Sequence, residues 1–189
     1  MEIRFKIETL GYIVAEFLLE EKKIKIGHSS DYGDKFQELL NKFFYIYELL
    51  RDQDNNYFPY EAEVLWEDDF INYQWNVGIR SADSPIKISV NEIAPFNPEH
   101  KLELVNHNIQ KDKLFDSIFL SLDQTLAEFG FLGYKKNWEV GNFPIYEYIV
   151  LKAEKGNISL DKNEDLTNET WKQKINLEDE LKIIHNSFR

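Results

Sequence analysis

The sequence predicts an α+β fold: an antiparallel sheet of about six strands in the order βββαβββα, with two helices packed on one face. Three observations lead there. Apolar and polar residues alternate in short segments that come in two groups, as half-buried strands require. After each group an apolar stripe recurs at helical spacing. The chain has 189 residues, 43% of them apolar and 15% aromatic, enough for one sizeable core.

Residues 2–8 place Ile3, Phe5 and Ile7 on one face and Glu2, Arg4, Lys6 and Glu8 on the other. Residues 12–20 are apolar on both faces, like a central strand. Glu21-Lys22-Lys23 reads as a turn, and Ile24 and Ile26 point a third strand inward. Short turns between these segments predict an antiparallel meander. Ser29-Ser30-Asp31 then offers helix caps, because their side-chain oxygens can accept from free N–H groups at a helix start. Phe36, Leu39, Leu40, Phe43, Phe44, Tyr47 and Leu50 follow as an amphipathic helix that ends at the polar run 52–56.

The second group repeats the pattern. Tyr60, Ala62, Val64 and Trp66 alternate with Glu61, Glu63, Leu65 and Glu67, and Glu67-Asp68-Asp69 suits a hairpin turn. Ile71, Tyr73, Trp75, Val77 and Ile79 give the clearest period-two signal, and Ile86, Ile88 and Val90 mark a sixth strand. Residues 95–110, with two prolines and many asparagines, read as a loop. Phe115, Ile118, Phe119, Leu122, Leu126 and Phe129 form the stripe of a second helix from about Lys111 to Gly130. Residues 145–153 fit a strand or a helix equally well. The reading is one domain over 1–155, then a polar tail or docked arm over 156–189 with a short helix near Leu177, Leu181 and Ile184.

Composition removes several functions. Zero Cys excludes disulfide scaffolds, thiolate metal sites and thiol catalysis. A net charge of -12 argues against nucleic acid, whose phosphates need clustered Lys and Arg. No run approaches the length of a membrane helix, and Glu2, Arg4, Lys6 and Glu8 break any signal-peptide core, so the chain is expected to be cytoplasmic, without a membrane partner.

Catalytic motifs are missing. None of the phosphate-loop, dinucleotide-loop or nucleophile-elbow patterns occurs, and no cofactor is expected. His28, His100, His107 and His185 show no metal-ligand spacing; Glu103 and His107 would meet only on a helical turn, and their segment reads as a loop. His28 beside Ser29, Ser30 and Asp31 is better read as part of a helix cap than as a nucleophile cluster. Glu61 and Glu63 share a face, but nothing near them suggests the apolar pocket an acid–base pair needs. The chain is expected to be non-enzymatic.

Charge and aromatics carry the positive reading. Residues 61–106 hold nine acids and three bases, half the net charge in a quarter of the chain. Such a field attracts basic partners. Glu61, Glu63, Glu67, Asp68 and Asp69, with Tyr57 and Tyr60 as rigid aromatic anchors, therefore form the expected contact surface for a basic protein. Two alternatives stand beside it: an aromatic-lined pocket for a small molecule or an enzymatic role, and self-association into a homodimer through a sheet edge or the polar face.

Phe129-Gly-Phe-Leu-Gly-Tyr134-Lys-Lys-Asn-Trp138 followed by Phe143-Pro144 resembles a family of uncharacterised bacterial proteins, in which a helix ends, a Tyr stands four residues before a Trp, and Phe-Pro follows. The run from Glu67 to Trp75 is similar to that family's acidic turn, with Asp68-Asp69 where the family has Pro-Gly. The resemblance spans about residues 10–150 and implies no particular activity. In size, acidity and missing motifs the chain also resembles immunity proteins of bacterial toxin systems.

Overall fold

The structure, a computed structural model, describes residues 1–20, 22–52, 57–158 and 177–185. The elements are β1 (Glu2–Thr9), β2 (Tyr12–Leu19), β3 (Lys22–Ser29), α1 (Lys35–Asp52), β4 (Tyr60–Glu67), β5 (Asn72–Ile79), β6 (Ile86–Ala94), β7 (Asn97–Ile109), α2 (Lys111–Trp138), α3 (Ile145–Lys155) and α4 (Leu177–His185). They form two compact units, Met1–Phe143 and Pro144–Arg189.

The fold is α+β with every strand pair antiparallel, as the sequence predicts. Its strands make two sheets instead of one platform: β1-β2-β3, and β4-β5-β6-β7. Periodicity assigns side chains to faces, but it cannot say which edges pair. The helices also divide. α1 packs against β4 and β5, and α2 runs along β1. There the Ser121 hydroxyl accepts the Phe5 N–H at 3.0 Å, satisfying a donor on the open edge of the first sheet.

The aromatic alternation builds the core. Phe36 packs on Phe5 (5.3 Å between ring centres), Phe5 on Trp66 (6.4 Å), Trp66 on Trp75 (4.9 Å) and Trp75 on Phe17 (5.3 Å). This chain of rings joins both sheets to α1. Fully burying such side chains stabilises by about 2–3 kcal/mol each.

Three local expectations change. Ser29 caps only the short 3-10 turn Ser30–Tyr32; α1 is capped by Asp34, whose Oδ1 accepts the Gln37 N–H at 3.1 Å. The same carboxylate oxygen accepts the Trp138 indole N–H at 2.9 Å. Residues 97–109, expected to be loop, are the longest strand. Most of β7 is exposed, so one-sided burial never imprinted an alternation, and the register shift between Val90 and Asn91 breaks what remains. Gly130 kinks α2 and does not stop it: its φ of 62° and ψ of 177° suit glycine, and helix resumes through the buried Tyr134 and Trp138.

In the second unit, residues 145–155 are helical, which resolves the ambiguous segment. Lys152 is buried, and its ammonium donates to the Tyr148 hydroxyl (2.7 Å) and the Ile184 carbonyl (2.9 Å), tying α3 to α4. The expected polar arm across 159–176 lies outside the described residues. Among the described residues no helix is long and apolar enough to cross a membrane.

Candidate protein-interaction site

Strand register builds the outer face of the second sheet row by row. Glu61 stands opposite Gly78, then Lys87, then Asn108. Glu63 stands opposite Asn76, then Ser89, then Asn106. These rows line an open groove of about 920 Å³, rimmed by Arg80, Ser84 and the exposed His107. Gly78 lies in its floor, where a Cβ would come within 3.0 Å of the Tyr60 carbonyl oxygen and 3.2 Å of Glu61 Cγ. The missing side chain therefore keeps the floor open and lets β4 approach. No Phe, Tyr or Trp is among the residues lining the groove.

Glu63 and Glu103 are held by neutral amides. Glu63 accepts from the Gln74 amide, and Gln74 Oε1 accepts from Lys101 Nζ at 2.8 Å. Glu103 accepts from the Asn106 amide at 2.9 Å. Among the described residues, Glu61, Glu63, Glu67, Asp68, Asp69, Glu92, Glu99 and Glu103 make no ion pair, and neither do Arg80, Lys87 and Lys101.

The expected acidic surface is split in two. Glu61 and Glu63 are exposed in the groove. Glu67, Asp68 and Asp69 lie toward the opposite end of β4, Glu67 about 20 Å from Glu61 and about 13 Å from Glu63 at the usual strand rise. There the Tyr12 hydroxyl donates to Asp68 (2.8 Å) and the Tyr32 hydroxyl to Asp69 (3.1 Å). Burial, then the Asp68 hydrogen bond and charge, push the Tyr12 hydroxyl well above its ordinary pKa. The Tyr12 ring reaches Asp68 by crossing β3 at Gly27, where any Cβ would strike the phenol. The same end carries two apolar knobs that sequence reasoning passed over: Phe70 in the β4–β5 turn is 84% exposed and Phe96 in the β6–β7 turn is 99% exposed.

The two tyrosine anchors also separate. Tyr57 is exposed just before β4. Tyr60 belongs to the inner face and lies against Tyr45 of α1 at 4.8 Å; burial and then the Tyr45 charge raise its pKa. Asn76 was legible on the outward face; the carboxamides of Asn106 and Asn108 are the groups the sequence reading missed. Asn72, Gln74 and Asn76 alternate visibly along β5, but the two from β7 were hidden once that strand read as loop.

The outer face of the first sheet is organised differently. Glu16 is buried among Lys23 (2.8 Å), Lys6 (2.9 Å) and Lys25 (3.7 Å). Burial alone would raise its pKa, but the ammonium groups of Lys23 and Lys6 beside it outweigh that and hold it at about 2. Lys25 also pairs with Glu8 (2.7 Å), and Arg4 with Glu2 (2.6 Å).

The histidines do not converge. His28 is fully buried, its ring nitrogens 3.1 Å from the Glu67 carbonyl and 2.9 Å from the Gly33 carbonyl, between the rings of Trp66 and Trp138. It bridges β3 to β4 and faces neither Ser29 nor Ser30. Glu103 and His107 lie on an extended strand, about 13 Å apart along the chain. Among the described residues no group of three or more His, Cys, Asp or Glu could hold a metal ion.

Comparison with known protein families, with curated proteins and with solved structures finds no match for this chain.

Proposed function

We propose that this chain is a non-enzymatic protein-binding domain whose second sheet receives a basic protein partner. One observation carries the reading: the acids of the second sheet are left without cationic partners of their own among the described residues, while those facing outward on the first sheet are paired internally. Unneutralised carboxylates on a rigid sheet attract cations at long range and fix orientation on contact. The carboxamides of Asn76, Asn106 and Asn108 each offer donors and acceptors, which suits an extended peptide segment. Phe70 and Phe96 add apolar contacts at the far end. Immunity-type inhibition of a basic bacterial toxin is the form of this role that the composition resembles; it would act by covering the toxin's cationic surface.

The test is titration of the full chain with fluorescent lysine- and arginine-rich peptides at several salt concentrations. We expect affinity to fall as salt rises and to drop at least about tenfold in the Glu61→Lys/Glu63→Lys variant. A control, Glu2→Lys/Glu8→Lys on the first sheet, should bind as the parent does. Equal affinity for neutral peptides, or equal loss in the control, would overturn the proposal.

A further inference from the structure

The two outer edges of the sheets are treated unequally. The β1 edge is covered by α2 and has its Phe5 N–H capped by Ser121. β7, the outer strand of the second sheet, extends for 13 residues and pairs only with β6 among the described residues. A strand edge of this length presents a row of unpaired N–H and C=O groups to any complementary strand.

We propose that the occupant is a second copy of this chain, its β7 pairing antiparallel with the first about a twofold axis at Leu102. Charge complementarity selects both partner and register. Lys101, Leu102 and Glu103 lie in regular register with Ile93, Glu92 and Asn91, in the stretch between the shifts at Ile93/Ala94 and Val90/Asn91. With Leu102 facing its own copy, Lys101 of each strand stands opposite Glu103 of the other, on the same face, twice over. Both side chains are exposed and free of ion pairs among the described residues. Moving the axis one residue either way sets Lys101 against Lys101 or Glu103 against Glu103, which repel. Leu102, 54% exposed in the free chain, would meet its symmetry mate on the opposite face. The second sheet would continue across the axis as an eight-stranded sheet bearing two grooves. The edge adjoins the groove proposed for the basic partner, to which β7 lends Asn106, His107 and Asn108.

Sedimentation velocity from low micromolar to near-millimolar protein tests the proposal. We expect reversible dimers in the parent, at least about a tenfold weaker association in Lys101→Glu, and recovery in the Lys101→Glu/Glu103→Lys double variant, which restores the pair with its signs exchanged. Far-UV circular dichroism confirms that each variant is folded. A parent that stays monomeric throughout, a dimer indifferent to Lys101→Glu, or a double variant that fails to recover would each overturn it.

Discussion

The two outer sheet faces are made of the same kinds of residue and reach opposite ends. Residues 1–29 hold five acids and five bases, and the first sheet gathers them around Glu16 until its outward charge is satisfied from within. Residues 61–106 hold nine acids and three bases, and the second sheet spreads them over β4, β6, β7 and the connecting turns, where among the described residues no cation pairs with an acid. Adjacent strands lie about 4.8 Å apart, so Glu61 and Lys87, two strands removed in one row, are separated by roughly twice that. Lys6 and Lys25, in contrast, stand on the strands flanking Glu16, within reach of long side chains. Placement as much as composition decides whether a charged face stabilises the fold or stays available to a partner.

The largest way to break this contrast is to remove the centre of the first face. Glu16→Gln leaves Lys6, Lys23 and Lys25 crowded without their anion, and should destabilise by about 2 kcal/mol in urea unfolding. The same carboxylate sets an acid limit. Its folded pKa of about 2 lies below the ordinary 4.5, so its stabilisation is complete above pH 4.5 and is lost as pH falls toward 2. The Glu16→Gln variant should lack that part of the acid dependence, measurable as a flatter melting temperature between those values.

Next in size is Tyr12→Phe, which removes the hydrogen bond holding Asp68 at the corner where β3 meets β4. A cost of about 1 kcal/mol is expected, read by thermal or urea unfolding. Smallest is the effect of Glu61→Lys/Glu63→Lys on folding itself. With no ion pair to break, stability should stay within about 0.5 kcal/mol of the parent, even as affinity for basic peptides falls. A large stability loss there would show that the second face is as internally committed as the first.

The core was legible in the sequence because burial leaves a period. Ile3, Phe5, Trp66, Trp75, Ile88 and Val90 all alternate in the chain and all lie inside. The site was legible only in pieces. Glu61 and Glu63 show by alternation that they share an outward face, but Asp68 and Asp69 follow them closely in sequence and end at the far end of β4, held by Tyr12 of β2 and by Tyr32 of the 3-10 turn after β3. Tyr60 reads as a neighbour of Glu61 and turns to the opposite side. The groove wall from β7 was missed because a strand that buries only Val105 and Ile109 carries too short a hydrophobic period to read.

By itself the sequence determined the α+β class, the inward residues of six strands, the course of two main helices and the acidic bias of the second group of strands. Each of these follows from local alternation or composition. Only the tertiary structure decided that the strands form two sheets, that Asp34 rather than Ser29 caps α1, that 97–109 is a strand, and that one face neutralises itself while the other does not. Those outcomes depend on which edges and side chains meet across tens of residues, and a local pattern holds no record of such distances.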